Sequence, residues 1–162
     1  MIRQYRPGDD RNAISNVYEE SWKYTYRGMI PDAFLDGIPK GKWASGMDIP
    51  GRFSLLAIEE DHIVGTAAYG SSRFTEGKYE GELIAIYLLP EYMKKGYGKQ
   101  LLKRVECELK NNGYQNIYLW VLDQNVRAIE FYEKNGYTAT GINRLDHIGG
   151  KTITELQYKK CL

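Results

Sequence analysis

Long apolar runs, closely spaced cysteines and an excess of charge of one sign are all missing from this sequence. No apolar run is long enough to cross a bilayer, and the first residues lack the apolar stretch of a secretory signal. The two cysteines, Cys107 and Cys161, have neither the spacing of a metal site nor that of a disulfide framework. We therefore expect no bound metal, no membrane partner and a reducing compartment, the cytoplasm.

The charges of the chain nearly cancel, since 22 Lys and Arg stand against 21 Asp and Glu. A protein that holds nucleic acid on a broad basic face needs surplus positive charge, so we expect no nucleic-acid partner. Hydrophobic residues make up 43% and charged residues 27%, as is usual for globular proteins. The length is typical of one domain, and residues 1–162 are predicted to fold as a single one.

Segments with strand-like and helix-like patterns follow one another and predict a mixed α/β domain. The apolar run Leu83 to Leu89 is typical of a strand covered on both faces, which places it at the centre of the sheet. The segment Ser71 to Gly81 has no regular pattern. The predicted strands are Ile2 to Arg6, Phe53 to Glu59, Ile63 to Tyr69, Leu83 to Leu89, Ile117 to Leu122 and Thr152 to Tyr158. The predicted helices start at Asp9 or Asp10 and run towards Trp22, start at Pro31, and span Gly98 to Asn112 and Asn125 to Asn135.

Two glycines and three lysines surround the start of the helix that follows the central strand, in the segment Lys94 to Lys99. Glycine lets a ligand approach the backbone, and the free N–H groups at a helix N-terminus bind anions. The segment is neither a Walker loop nor a dinucleotide fingerprint. A Gly-x-Gly pair also fits a tight structural turn, so the motif alone favours phosphate binding without deciding it.

A second motif, Asn125 to Tyr137, places Asn125 at a helix start and Tyr132 about two turns further along. A phenol can deliver a proton to a leaving group, and an amide side chain can hold a carbonyl group or a water molecule. Both residues also have plain structural uses, Asn as a helix cap and Tyr as a core residue.

Together, the two motifs and the order of strands and helices resemble the GNAT superfamily of N-acetyltransferases. The resemblance extends over essentially the whole chain. A bacterial small-molecule subgroup, whose acceptors are mostly unassigned, is similar in the pattern from Ser21 to Pro31 and in the later segments Gly81-Glu82-Leu83 and Trp120-Val121-Leu122. It implies a mixed, mostly antiparallel sheet of about seven strands flanked by about four helices. The central strands of that fold splay apart and form a cleft for coenzyme A.

Acetyl-CoA is the cofactor that the resemblance implies. Its pantetheine arm would lie along the main chain of Ile86, Tyr87 and Leu88, with Asn125 and Tyr132 as further contacts. Met93 stands where the family most often has Gln or Arg, so a polar side-chain contact is missing there. The residues implied to hold the pyrophosphate are Lys94, Lys95, Gly96, Tyr97, Gly98 and Lys99.

Transfer of an acetyl group requires a neutral amine, because an ammonium group has no lone pair. By position, the resemblance makes Glu82 the base, directly or through a water, with Glu80 as the fallback, and Tyr132 the acid. An ordinary solvent-facing position is the alternative for Glu82. The aromatic residues Trp22, Tyr24 and Tyr26 would either receive the acceptor, beside Glu82, or pack in the core.

The sequence therefore predicts an N-acetyltransferase acting on the primary amine of a small molecule: a polyamine, an amino acid or a drug-like amine. Acetylation of protein N-termini or lysines remains an alternative, as does a non-catalytic acyl-CoA sensor. The resemblance also allows a homodimer, to which the C-terminal strand would contribute.

Overall fold

A computed structural model of the chain describes residues 1–74, 77 and 79–162. Residues 75, 76 and 78, which fall within the irregular segment predicted over Ser71 to Gly81, lie outside the described residues. Within the described ranges, no helix is both long enough and apolar enough to cross a membrane.

Seven strands form one sheet in the order β1-β2-β3-β4-β5-β7-β6, and every neighbouring pair is antiparallel except β4 and β5. The predicted mixed α/β class, with a mostly antiparallel sheet, is confirmed. The strands are β1 Ile2–Gln4, β2 Arg52–Glu59, β3 His62–Ser71, β4 Glu80–Leu88, β5 Asn116–Leu122, β6 Thr138–Ile148 and β7 Lys151–Cys161. The α-helices are α1 Arg11–Thr25, α2 Asp32–Asp36, α3 Tyr97–Asn111 and α4 Val126–Lys134, and short 3-10 helices span Ala44–Asp48 and Pro90–Tyr92.

Helix α1 begins and helix α4 ends at residues that are typical of helix termini. Of the two candidates for the cap of α1, Asp10 accepts hydrogen bonds from the amides of Asn12 and Ala13, whereas Asp9 pairs with Arg3. Gly136 follows α4 with a φ of 88°, a left-handed conformation that favours glycine and ends the helix.

Strand β6 is the element that the sequence pattern did not predict. It is the edge strand next to β7, and most of its residues are exposed, so neither face carries a regular apolar row. Its apolar residues Ile142, Leu145 and Ile148 are spaced by three rather than two, and the register shifts between Ala139 and Asn143. These features hide the two-residue alternation that identifies a strand.

Strands β4 and β5 pair at only three positions, from Glu80 against Asn116 to Glu82 against Tyr118. Beyond them the strands separate, which confirms the predicted splay. A bulge against β3 leaves Ile84 unpaired where the separation begins. The prediction that this strand is covered on both faces was wrong, because residues 84–87 are partly exposed along the gap.

Helices cover the two faces of the sheet and form its core. Helix α3 packs against one face of the sheet through the apolar residues that its helical spacing predicted, and all four are buried: Leu101, Leu102, Val105 and Leu109. On a second core cluster, Ile14 and Tyr18 of α1 pack with the sheet residue Leu56. Residues of both α1 and α3 border the gap between β4 and β5.

Candidate active site

A cavity of about 790 Å³ opens where β4 and β5 separate. One part of its wall is the turn that starts α3, and another comes from α4. The far part comes from α1 and from the paired strands β6 and β7. Of the residues predicted to bind cofactor or acceptor, those lining it are Trp22, Tyr26, Glu82, Ile86, Tyr87, Leu88, Lys94, Gly96, Gly98, Lys99, Asn125 and Tyr132.

The start of α3 presents main-chain amides to this cavity. Lys94 and Gly96 have φ values of 62° and 90°, so the chain turns sharply before the helix. Among the hydrogen bonds of the described residues, none has an amide of residues 94–99 as its donor. A Cβ atom on Gly98 would lie 3.6 Å from Leu88 and 3.7 Å from Phe131, so it would fit the fold but fill the cradle. The arrangement suits a phosphate group.

Two residues of the predicted phosphate turn direct their side chains elsewhere. The ammonium of Lys95 lies over the ring of Tyr92, and the hydroxyl of Tyr97 donates to Glu59 at 2.6 Å. Any contact that these two make with a cofactor would therefore come from the main chain.

The main chain of Ile86, Tyr87 and Leu88 pairs with β3 on one side only. On the other side β5 has already diverged, since its pairing with β4 ends at Glu82. An extended ligand with amide groups can occupy that side as an added strand would. This fits the predicted place of a pantetheine arm.

Tyr132 of α4 is 8% exposed and lies on the cavity wall, packed edge-on against Phe131 and Tyr137. Burial raises the pKa of Tyr132 above its ordinary value, and the nearby Tyr87 adds to the effect. Its hydroxyl therefore keeps its proton at neutral pH and can act as an acid.

Asn125 is the N-terminal cap of α4, as its predicted position at a helix start allowed. Its side-chain oxygen accepts a hydrogen bond from the amide of Ala128 and caps α4. The residue also lines the cavity, so its side-chain NH₂ group is the part that can contact a cofactor.

Glu82 is 1% exposed, which excludes a solvent-facing position. It accepts three hydrogen bonds from Arg73: at 3.1 Å from the main-chain N–H, at 3.1 Å from Nε and at 2.7 Å from Nη2. The fallback base Glu80 accepts from Asn116 at 3.2 Å and is not among the described residues that line the cavity. Of the two candidate bases, Glu82 is the one that lines the cavity as the structure describes it.

The predicted aromatic cluster is divided by the structure. Trp22 and Tyr26 pack edge-on at 5.0 Å and line the cavity, and burial raises the pKa of Tyr26 to about 12. Tyr24 is 57% exposed, lies near the guanidinium of Arg127 and is absent from the described lining.

A protein-family model, that of the acetyltransferase (GNAT) family, matches residues 14–137. The chain belongs to the GNAT family. The family, the enzyme class of acetyl-CoA-dependent acyltransferase and acetyl-CoA as the cofactor, all predicted from the sequence, are confirmed by this membership.

Individual GNAT proteins are similar to this chain over most of its length. The N-acetyltransferase YuaI of Bacillus subtilis (strain 168) is 33% identical over 129 residues, 77% of this chain and 73% of its own. The spermidine N(1)-acetyltransferase of Thermoplasma acidophilum is 29% identical over 166 residues, covering 93% of each chain. The crystal structure of PaiA N-acetyltransferase from Thermoplasma acidophilum, in complex with coenzyme A, has a TM-score of 0.74 and 25% identity over 100% of this chain and 99% of that one.

No sequence pattern indicated several further residues of this GNAT site. Arg144 of β6 and Glu155 of β7 stand opposite each other, with Nε 2.5 Å from Oε2. The guanidinium of Arg144 also lies 4.3 Å from the ring of Trp120 and 4.4 Å from that of Phe74. Arg144 and Glu155 are brought together by the pairing of β6 with β7, which local sequence does not show. Opposite charges on two paired strands could have indicated the contact, but β6 was not predicted as a strand.

Proposed function

We propose that the chain transfers the acetyl group of acetyl-CoA to the primary amine of a small molecule, with Glu82 as base and Tyr132 as acid. The observation that carries this proposal is that one cavity is lined by the α3 cradle, a buried carboxylate and a buried phenol. Relatives named for small amines, such as the spermidine N(1)-acetyltransferase and the L-amino acid N-acyltransferase MnaT of Escherichia coli (strain K12), support it.

The residues of the site divide the work of the reaction. Bound acetyl-CoA supplies a thioester that an amine can attack. The carboxylate of Glu82 takes the proton that the acceptor nitrogen must lose, directly or through a water. Main-chain N–H groups along the gap stabilise negative charge on the acetyl oxygen, and the hydroxyl of Tyr132 gives its proton to the departing sulfur.

Arg73 has a positioning role in this proposal. Its guanidinium donates to both oxygens of Glu82 and thereby holds the buried carboxylate in one orientation.

A panel of amines incubated with acetyl-CoA, with thiol release followed, tests the proposal. We expect turnover with at least one small amine, and a loss of kcat of roughly 10²- to 10⁴-fold in Glu82→Gln. A matched control is Glu108→Gln, which removes the partner of Arg104 on α3 and should leave kcat unchanged. CoA binding without thiol release from any amine would favour the sensor, and turnover with peptides alone would favour a protein acetyltransferase.

The remaining expectations stay predictions of the sequence. They are a single domain, the cytoplasm, the formation of a homodimer and the lack of nucleic-acid, membrane or metal partners.

A further inference from the structure

Two ion pairs form the wall of the cavity around Glu82. Arg73 pairs with Glu82 and Arg144 with Glu155. In each pair the carboxylate is the more buried member, with 1% and 14% of the side chain exposed, while the arginines are 46% and 31% exposed. The arginines are therefore the more accessible members of the two pairs, and all four residues line the cavity.

Every acidic side chain of the described lining already accepts a hydrogen bond. Besides the two paired glutamates, Glu130 accepts from Lys134 and the exposed Asp146 accepts from the amide of His147. A polyamine presents only N–H donors and positive charges, and it needs carboxylates that are not already neutralised. Among the described residues, the lining offers no buried carboxylate without a hydrogen-bond donor.

Donor groups in the lining also have hydrogen-bonding capacity to spare. A guanidinium carries more N–H groups than one carboxylate can bind. Arg144 uses only Nε on Glu155, and its two terminal nitrogens donate no hydrogen bond among the described residues. The buried indole N–H of Trp22 likewise has no acceptor there. A ligand that presents acceptor atoms matches these donors.

The arginines are held in one place and belong to one electrostatic cluster. The guanidinium of Arg144 contacts the rings of both Phe74 and Trp120, which meet each other edge-on, and these contacts restrict its orientation. The pKa of Arg73 is raised first by its hydrogen bonds to Glu82 and further by the charge of Glu155. The two pairs are neighbours, since the guanidinium groups of Arg73 and Arg144 lie 5.2 Å and 4.4 Å from the ring of the same residue, Phe74.

Building on the proposed function, we propose that the acceptor is an amino acid or a similar amine with a carboxylate beside it, and that Arg144, together with Arg73, binds this carboxylate. The terminal nitrogens of a guanidinium fit the two oxygens of a carboxylate. Held there, the neighbouring amino group lies beside Glu82, which takes its proton. The product is the N-acetyl amino acid.

Matched acceptors test the role of the carboxylate. We would measure kcat/KM for L-leucine, L-leucinamide and 3-methylbutylamine, and for L-ornithine against putrescine. Loss of a charged hydrogen-bond partner predicts that each acid is preferred by roughly 10- to 100-fold. Leucinamide keeps the α-amine, loses the charge and has the less basic amine, so slower turnover of the amide isolates recognition of the carboxylate.

Variants then assign that recognition to Arg144. In Arg144→Gln we expect the preference for the acid over its decarboxylated amine to fall towards one, whereas Arg104→Gln, which breaks a similar Arg–Glu pair outside the cavity, should keep it. The double variant Arg144→Gln with Glu155→Gln removes both charges together and should also lose the preference, even if the single variant folds poorly.

The outcomes separate this inference from the function on which it rests. Equal or better turnover of the carboxylate-free amines by the unmodified protein would overturn the inference and leave the acetyltransferase proposal standing. An unchanged preference in both Arg144 variants would overturn it as well. If none of these compounds and no other amine is acetylated, the proposed function fails and the inference fails with it.

Discussion

Tyr132 and Tyr137 are buried neighbours whose hydroxyl groups face different surroundings. Tyr132 lines the cavity, while the hydroxyl of Tyr137 donates to Glu106 at 3.3 Å. Removing each hydroxyl therefore separates a chemical role from a structural one.

We expect Tyr132→Phe to lower kcat by roughly 10²- to 10⁴-fold. Tyr137→Phe should leave kcat within a few-fold and lower stability by about 1 kcal/mol. Steady-state kinetics and urea unfolding of both variants measure this, and equal kcat values would remove Tyr132 from the mechanism.

The raised pKa of Tyr132 also predicts how activity depends on pH. The acid works only while protonated, and a pKa above the ordinary value of about 10 keeps it so as the pH rises. Raising the pH meanwhile increases the fraction of neutral amine. We therefore expect kcat, measured at saturating substrates, to rise with pH and to show no descending limb below about pH 10. A fall that begins near neutral pH would mean that another group is the acid.

At the scale of elements, the start of α3 is the part of the site that the sequence located best. Gly96, Gly98 and the helix behind them follow from local chain chemistry, so the motif could be placed before any tertiary contact was known. The pairs at Arg73 and Arg144 could not, because their partners come from other strands. Strand β6, which carries Arg144, was not predicted because it has no buried face and therefore no alternation of apolar and polar residues.

The cradle at α3 can be tested apart from the fold. Gly98→Ala adds a methyl group at ordinary contact distance from Leu88 and Phe131, so the protein should fold normally and bind CoA more weakly. CoA at about a hundred times its Kd stabilises the unmodified protein by roughly 2.7 kcal/mol, and the variant should lose most of that increment at the same concentration. Gly46→Ala, where an added Cβ meets nothing within 4 Å, is the control. Equal shifts in thermal unfolding for all three proteins would contradict a phosphate site here.

At the scale of the whole molecule, the sheet consists of two parts joined by the short β4–β5 pairing. A polar cluster on α3 bridges them. The buried Glu106 accepts hydrogen bonds at 2.8 Å from both Lys103 and Lys160, and Lys160 belongs to β7. Helix α3 thereby fastens the part that contains β4 to the part that contains β5.

Removing the charge of Glu106 should loosen that connection. We expect Glu106→Gln to lower the free energy of unfolding by about 1–3 kcal/mol, because Lys160 is then left partly buried beside a neutral group. Asp36→Asn, which breaks an exposed pair with Arg27, should leave the free energy of unfolding essentially unchanged. Urea unfolding compares the two variants, provided that the dependence of the free energy on urea concentration is unchanged. Similar free energies of unfolding would show that the Glu106 cluster does not join the two parts of the sheet.

The separation of β4 from β5 creates an edge in the middle of a sheet rather than at its border. Unpaired strand edges attract strands of other molecules and start aggregation, and proteins normally shield them. Here that edge faces the cavity, and a bound cofactor would cover it. Occupancy of the cleft should therefore govern how long the protein stays in solution on storage, as well as what it catalyses.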